Sequence, residues 1–387
     1  MSPEERILAS LRLEEPDRVP IFPAYSFVSA IRPITSHVSA LPSSVDKDFI
    51  RLVDCARKIG DLMETWQPHV EQSVFLSASE SVQRWTSCYS QNGYEVEEVK
   101  IETPKGLMTS VRKTPKGGAP RVVKHLMECD EDVDKFLSVP YEPPEVDASS
   151  FSQFRARLRG RAVVRVGAPT PIIEVAGPLL FNSDKFVIEV FRHKDKVIEM
   201  LDMMHERCID YLGSLLSQGV KAAVFWLDGA ELAAPPIFSP HVFDEFIVRY
   251  LKEIVKLIHE HDCVVIMHCH GNVNKILESI AATGVDGLHP VEPPPMGDTP
   301  LSEAKKRIGH HVCLTGNIEM HDIITVSPKA IDAKVREAIS EGAPGGGFIL
   351  SPSTGFYTFY RTAKSIENYM QFLKTGHEVC TYPYAGK

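Results

Sequence analysis

Short apolar runs alternate with longer amphipathic segments through the second half of the chain. The apolar runs have the length of buried strands and begin near residues 163, 222, 264, 285, 312 and 347. Repeated strand–helix units of this kind place parallel strands side by side through right-handed crossovers. With entry into a first strand at Asp17–Pro23, the count reaches about seven or eight strands, which favours a closed (β/α)8 TIM-type barrel over a doubly wound sheet.

The helical segments are expected from the spacing of their apolar residues. Residues 3–11 predict a short opening helix, and residues 48–66 predict a second helix. A single long helix is expected from Phe186 to Leu212, and Ser239 followed by Pro240 is a favourable helix start.

Residues 85–127 depart from this alternation. Tyr94–Ile101 and Leu107–Arg112 alternate apolar and polar side chains on either side of a Thr103-Pro-Lys-Gly106 turn, which is typical of a β-meander. We interpret this segment as a β-rich insertion within a single domain that spans residues 1–387.

Composition limits the classes of function. The 387 residues include 42 basic and 51 acidic side chains, a net charge of −9 that disfavours a nucleic-acid partner. No apolar run approaches the length of a membrane span, and the N-terminus lacks the layout of a signal peptide. The eight cysteines are scattered without zinc-ribbon spacing, so reduced thiols and a cytoplasmic location are expected.

Two histidines follow one of the apolar runs. In Val264–Asn272 the run leads into His268 and His270, whose side chains, two residues apart on a strand, lie on the same side, with Cys269 on the other. Imidazole is a common metal ligand, so the pair predicts a metal site. Hydrogen-bonded histidines that cap a strand are the alternative.

Polar residues also end the other predicted strands, and in a barrel these ends meet at one mouth where active sites form. Five successive strands show this, with Asp228, His268 and His270, His289 and Glu292, Asn317 and Glu319, and Ser353 and Thr354. Asp228 could be a metal ligand, a base or a loop partner, and His289 could be structural or functional. Pro293–Pro295 would hold Glu292 in a fixed direction, whereas Asn317 has no titrating group and suits substrate positioning.

Six motifs of the chain resemble the uroporphyrinogen decarboxylase superfamily, in particular its cobamide-dependent methyltransferase branch. The resemblance covers nearly the whole chain and implies a (β/α)8 barrel, with a homodimer common among relatives. It is carried by Asp17-Arg-Val-Pro20, Ser239-Pro240, His268-Cys-His-Gly-Asn272, Leu314-Thr-Gly-Asn-Ile318, Gly347-Phe-Ile-Leu-Ser-Pro352 and Glu367-Asn368.

The chain departs from both branches of that superfamily. The decarboxylases use an arginine-rich loop after the first strand, but residues 22–32 contain one arginine, Arg32, which disfavours porphyrinogen decarboxylation. The methyltransferases bind zinc through a His-x-Cys-Gly strand end and a later cysteine. Here His268 matches the histidine, His270 occupies the first cysteine position, and Ser353-Thr354 replaces the later Gly-Cys.

Loss of both sulfur ligands predicts a harder zinc centre of histidines and oxygen, completed by Glu292 or Asp228, that suits an ether or alcohol oxygen. The resemblance then implies demethylation of a small O-methyl donor, with transfer to a corrinoid (cobalamin) on a partner protein. Alternatives are a decarboxylase or lyase acting on a small carboxylic acid, and a non-catalytic tetrapyrrole- or corrinoid-binding barrel.

The residue roles expected on this interpretation fall into three sets. Metal ligands are His268, His270 and Glu292, and catalytic residues are Asp228, His289 and Glu292. Substrate contacts are Asn317, Ser353, Thr354 and Tyr357. Aromatic candidates for the mouth are Phe225, Trp226, Phe356, Tyr357 and Tyr360, although core packing is an equally good use of Phe225 and Trp226.

Overall fold

The structure, a computed structural model, describes residues 1–24, 28–31, 46–71, 73–116, 118, 120–177, 183–357 and 360–382. Its strands are β1 (Leu62–Trp66), β2 (His69–Val70), β3 (Gln83–Gln91), β4 (Tyr94–Thr103), β5 (Gly106–Pro115), β6 (Arg121–Lys124), β7 (Val146–Asp147), β8 (Ala162–Ala168), β9 (Val224–Leu227), β10 (Val264–His268), β11 (Gly287–Val291), β12 (Cys313–Ile318) and β13 (Phe348–Pro352).

The helices precede, connect and follow these strands. They are α1 (Pro3–Leu11), α2 (Asp46–Ile59), α3 (Asp130–Leu137), α4 (Phe151–Leu158), α5 (Pro171–Ala176), α6 (Ser183–Arg192), α7 (Lys194–Ser217), α8 (Pro240–Phe243), α9 (Arg249–His259), α10 (Leu277–Ala282), α11 (Leu301–Ile308), α12 (Met320–Thr325), α13 (Pro328–Gly342) and α14 (Ala363–Val379). In the described part of the chain, no helix combines the length and apolarity needed to cross a bilayer.

Seven parallel strands form the main sheet, in the order β1-β8-β9-β10-β11-β12-β13. The segment around Ile21 lies between the two outer strands. Ile21 forms a parallel bridge with Leu350, the Phe22 N–H donates to the Leu350 carbonyl at 2.8 Å, and the Asp61 N–H donates to the Ile21 carbonyl at 2.7 Å. This short eighth segment joins β13 to the start of β1, and the predicted (β/α)8 class is confirmed.

The barrel interior is apolar at its lower end. Ile7, Leu8 and Leu11 of α1 pack with inward-facing strand residues that include Val163 and Ile266. A second, larger core lies between the sheet and the surrounding helices. Because α1 fills the end at which the strands begin, the opposite end is the one open to a ligand.

The β-rich insertion is also confirmed. Strands β3 to β6 form an antiparallel sheet in sequence order, and Asn92 and Gly93 make the first turn with positive φ angles of 51° and 80°. Val99 and Ile101 on β4 belong to the same apolar cluster as the outer barrel core. That residues 1–387 form one domain stays a prediction.

Two helix predictions need correction. The helix expected over residues 48–66 ends at Ile59, and Leu62–Trp66 is β1. The backbone of Gly60 lies against the last turn of this helix, since a Cβ there would lie 2.5 Å from the Ala56 carbonyl oxygen. The single helix expected from Phe186 to Leu212 is two helices, α6 and α7, because His193 leaves the helical conformation with φ −137° and ψ 43°.

Candidate active site

Strand β10 delivers His268 into the barrel. Val264, Ile266 and His268 alternate with Val265 and Met267, and the first two belong to the interior core. His270 follows on the same side, and its ring centroid lies 4.5 Å from that of His268. The same-side arrangement expected from the sequence therefore holds.

His268 is paired with His289, which extends from the neighbouring strand β11. Their Nδ1 atoms are 2.9 Å apart. Burial lowers the pKa of His268 to about 3 and lowers the pKa of His289 well below its ordinary value. The charges of His270 and Arg165 lower both pKa values further. Both rings are thus neutral. Each ring also has a backbone hydrogen bond, His268 with the His289 backbone and His289 with the Pro352 backbone, so both rings are held in place.

His270 is bound to Glu292 in the loop after β11. Its Nδ1 lies 2.9 Å from one Glu292 oxygen, and the other oxygen accepts the Gly271 N–H at 2.8 Å. Burial alone would lower the pKa of His270, but the hydrogen bond to Glu292 and the charges of Glu292, Glu231 and Glu319 raise it overall. Glu292 therefore fixes the orientation of this ring.

Two further carboxyl groups lie in the electrostatic range of His270. Glu319, 5% exposed, accepts a hydrogen bond from Ser353 Oγ at 3.0 Å, and Glu231 lies in the loop after β9. Burial and the neighbouring Glu292 charge raise the pKa of Glu319 to about 7, and burial also raises that of Glu231. Among the described residues, Glu319 Oε1 and Glu231 Oε2 are buried without a hydrogen-bond partner. Such oxygens are costly unless a cation or a donor joins them.

Trp226 forms the floor beneath these groups. Its ring centroid lies 5.6 Å from that of His268 and 5.0 Å from that of His289, and the Arg165 guanidinium lies 4.6 Å from its centroid. Its indole N–H donates to Asp228 at 3.0 Å. Burial raises the pKa of Asp228, with the charges of Arg165 and His270 acting in the opposite direction.

Some of the remaining predicted residues lie at the mouth of the barrel, and others lie in its core. Asn317 is half-buried near the end of β12, and Thr354 is half-buried just after β13. Tyr357 is 41% exposed, with its ring centroid 6.5 Å from that of Tyr360. Two of the aromatic candidates lie in the core, namely Phe225 and Phe356. Arg32 and residues 25–27 of the loop expected to distinguish this chain from decarboxylases lie outside the described residues.

Sequence reasoning missed Arg165 and Glu231 and gave Glu319 no role. Arg165 had a signal, because it interrupts an otherwise apolar strand in Val163-Val-Arg-Val-Gly167. Glu231 had a weaker one, since it lies three residues after Asp228 in a loop whose course was unknown.

The chemistry of these groups fits a divalent metal. Carboxylate oxygens such as those of Glu231 and Glu319, and neutral imidazole nitrogens such as those of His268, are ligands that such an ion uses. The donor atoms of His268, His270 and Glu292 are more widely spread than those of a compact metal site. Among the described residues, one group of at least three has ligand atoms all within 4.8 Å of one another, the surface group Asp130, Glu189 and His193. Binding of one ion by the predicted trio therefore requires side-chain rotation.

No thiolate is available next to His268. The side chain of Cys269 is fully buried in the outer core, and burial raises its thiol pKa well above the ordinary value. The donor atoms described at the mouth are thus nitrogen and oxygen, and their role as metal ligands stays a prediction.

Comparisons with known proteins agree with this architecture. A methyltransferase from Methanosarcina mazei superposes with a TM-score of 0.57 at 18% identity, covering 98% of this chain and 99% of the other. The chain is 29% identical over 197 residues to the Methylcobamide:CoM methyltransferase MtaA of Methanosarcina barkeri, which is 49% of this chain and 54% of that protein. It thus spans about half the length of this relative.

The other group of relatives is named for decarboxylation. The chain is 24% identical over 267 residues to the uroporphyrinogen decarboxylase of Pseudoalteromonas translucida (strain TAC 125), covering 66% of this chain and 65% of that protein. The sequence profile of the Uroporphyrinogen decarboxylase (URO-D) family matches residues 103–379, well over half of the chain. The chain belongs to the uroporphyrinogen decarboxylase family.

Proposed function

We propose that this chain is a metal-dependent methyltransferase that moves a methyl group from a small O-methyl donor to a corrinoid carried by a partner protein. The observation that carries the proposal is the sulfur-free, carboxylate-rich surroundings of His270. Oxygen and nitrogen ligands favour a hard centre and oxygen substrates, whereas thiolates would favour thiol substrates. The similarity to a methyltransferase named for a methylcobamide supports a corrinoid as one of the two reaction partners, and the oxygen-preferring centre is the reason to propose the corrinoid as the acceptor.

The residues proposed to hold the metal are His268, His270 and Glu292, with zinc as the expected ion. When bound, the ion would act as a Lewis acid toward the donor oxygen. Burial keeps the His268 ring neutral, and His289 orients that ring through their Nδ1 contact. Glu231 is a further source of negative charge beside His270.

Glu319 and Asp228 are the proposed proton-transfer groups. When the methyl group leaves, the donor oxygen keeps the bonding electron pair and needs a proton. Glu319, whose pKa is raised to about 7, is partly protonated at neutral pH and can supply one. Asn317, Ser353, Thr354 and Tyr357 are proposed to contact the donor, although Ser353 also holds Glu319.

The test is a panel of methoxyarenes, methanol and methylated thiols incubated with cob(I)alamin and zinc-loaded protein, with methylcobalamin formation followed by absorbance. We expect turnover of O-methyl donors, and a fall of at least about tenfold in kcat for Glu319→Gln. His241→Ala, an exposed histidine on α8, is the matched control for His270→Ala. Activity with thiols alone, or release of carbon dioxide from a carboxylic acid without methyl transfer, would exclude the proposal.

A further inference from the structure

A cavity of about 330 Å³ lies between the β-rich insertion and α5. Among the described residues, its walls come mainly from β4, from residues 73–76 and from α5, and they include none of the histidines and carboxylates described at the mouth. Pockets for small molecules in proteins begin at about this volume. At roughly 30 Å³ for each non-hydrogen atom, the space suits a molecule of about ten such atoms.

The walls of this cavity are largely apolar. Val99 and Ile101 extend from β4, and Val74 and Leu126 complete the buried part of the lining. All four belong to the core that surrounds the barrel. Because water finds few polar partners in such a space, an apolar molecule gains free energy by entering it.

A strained turn supplies two more apolar side chains to the lining. Val74 and Ser77 exchange backbone hydrogen bonds of 2.8 and 3.0 Å, and between them Phe75 and Leu76 have φ angles of 52° and 55°. Turns of this kind normally contain glycine, asparagine or aspartate. Arg207 holds the turn in place by donating to the Phe75 carbonyl at 2.9 Å. Backbone strain at bulky residues concentrates at ligand-binding sites, and here both bulky residues line the cavity.

Glu174 on α5 places one carboxyl group in these apolar surroundings. Among the described residues, no donor or cation pairs with that group, and burial is the cause that raises its pKa to about 7. A carboxyl group in an apolar wall is costly to ionise unless a cation joins it. The cavity therefore combines room for an apolar body with one position for a positive charge.

Few other charges act on Glu174. Arg84 on β3 also lines the cavity, but it is exposed and is not among the causes of the Glu174 pKa shift. Cys208 and Tyr211 on α7 face Glu174, and burial raises the pKa of Tyr211 to about 12 and that of Cys208 well above its ordinary value. Neither of these two groups ionises near neutral pH, so Glu174 governs the change of charge inside the cavity.

We propose that this cavity binds a small apolar primary amine in its ammonium form, with the ammonium group on the Glu174 carboxylate and the apolar body against Phe75, Leu76 and β4. An anionic ligand would be repelled by the carboxylate, and a neutral alcohol would leave its charge without a counterion. This inference does not depend on the proposed methyl transfer.

The first test is isothermal titration calorimetry of the full chain at pH 8 with three probes that share one apolar body. These are 3-phenylpropylamine, 3-phenylpropan-1-ol and 3-phenylpropanoate. The amine should bind at least about tenfold more tightly than the alcohol, and the carboxylate should not bind. Glu174→Gln should abolish the preference for the amine, whereas exposed Glu71→Gln should keep it. Equal binding of amine and alcohol by wild type, or no binding of the amine, overturns the proposal.

The second test uses pH. Glu174 is largely protonated at pH 5.5, so the Kd of the amine for wild type should rise at least about tenfold between pH 8 and pH 5.5. The Kd for Glu174→Gln should be the same at both pH values. A pH dependence that persists in Glu174→Gln would show that another group binds the ammonium.

The third test locates the bound amine. Leu76→Asn keeps a residue that tolerates the left-handed backbone but removes an apolar wall, and it should weaken binding of the amine about fivefold. Glu319→Gln tests the carboxyl groups of the mouth and should leave that binding unchanged. Loss of binding in Glu319→Gln but not in Glu174→Gln would place the amine at the mouth and contradict the proposal.

Discussion

At the mouth, burial lowers the pKa of histidines and raises the pKa of carboxyl groups. The same loss of water that keeps His268 and His289 neutral raises the pKa of Glu319 and Asp228. His270 is the exception, since the surrounding carboxylates raise its pKa overall. A neutral imidazole near a carboxyl group such as Glu319, whose pKa is raised to about 7, is an arrangement suited to ligand binding and proton transfer.

Glu174 on α5 lets the burial effect be measured away from that mouth. It is half-buried in a cavity of about 330 Å³ lined mainly by apolar residues such as Phe75, Leu76 and Val99, and burial raises its pKa to about 7. In the unfolded chain a glutamate titrates near pH 4.3. The folded state therefore holds the proton more tightly, and stability falls as pH rises from about 4 to 7.

Glu174→Gln removes the free-energy cost of ionising this buried carboxyl group. We expect the variant to be more stable than wild type at pH 8, by on the order of 1 kcal/mol after allowance for solvent, and nearly equal to it at pH 4. Urea denaturation at the two pH values measures the difference. Exposed Glu71→Gln serves as the control and should show no such dependence. An equal effect of Glu174→Gln at both pH values would mean that the carboxyl is not the cause.

At the level of elements, the sequence predicted strands better than connections. Strand β10 and its two histidines were predictable because a buried strand has a period of two and the ends of parallel strands meet. Strand β1 was missed because apolar and charged residues continue to alternate through Leu62–Trp66, although Gly60 before it is a helix-stop signal. Glu231 could not be placed beside His270 from the sequence, since that contact depends on the path of the loop after β9.

Closure of the barrel depends on a buried ion network at the first strand segment. Asp61 is fully buried, accepts hydrogen bonds from the side chains of Arg6 and Arg18, and accepts the Ile21 N–H at 2.8 Å. It thereby holds α1 and the Ile21 segment against β1.

Asp61→Asn would leave Arg18 near the interior without its carboxylate partner and Arg6 with Asp17 alone. The expected loss is about 3–5 kcal/mol in the free energy of unfolding, measured by urea denaturation. Asp54→Asn, exposed on α2, should change stability by less than about 0.5 kcal/mol. A loss below about 1 kcal/mol for Asp61→Asn would show that backbone pairing alone closes the barrel.

In the whole molecule, stability and chemistry occupy opposite ends of the barrel. The end filled by α1 carries the Arg6–Asp61 ion pair and the apolar interior, whereas the other end carries partly buried carboxyl groups with unsatisfied oxygens. The insertion lies outside both and extends an exposed sheet. Substitutions at the mouth should therefore alter ligand binding without unfolding the protein, and removal of a buried carboxylate repulsion there should even stabilise it.

Metal binding should accordingly appear as a change in global stability. An ion that binds the folded state alone stabilises it by about 2.7 kcal/mol at a free concentration of 100 times Kd. We expect zinc to raise the Tm of wild type and of His241→Ala by a few degrees, and to leave the Tm of His270→Ala unchanged. His193→Ala separates the two places where an ion could bind, because His193 belongs to the surface group with Asp130 and Glu189. If zinc stabilises His270→Ala but not His193→Ala, the metal binds at the surface and the proposed role of the barrel histidines is wrong.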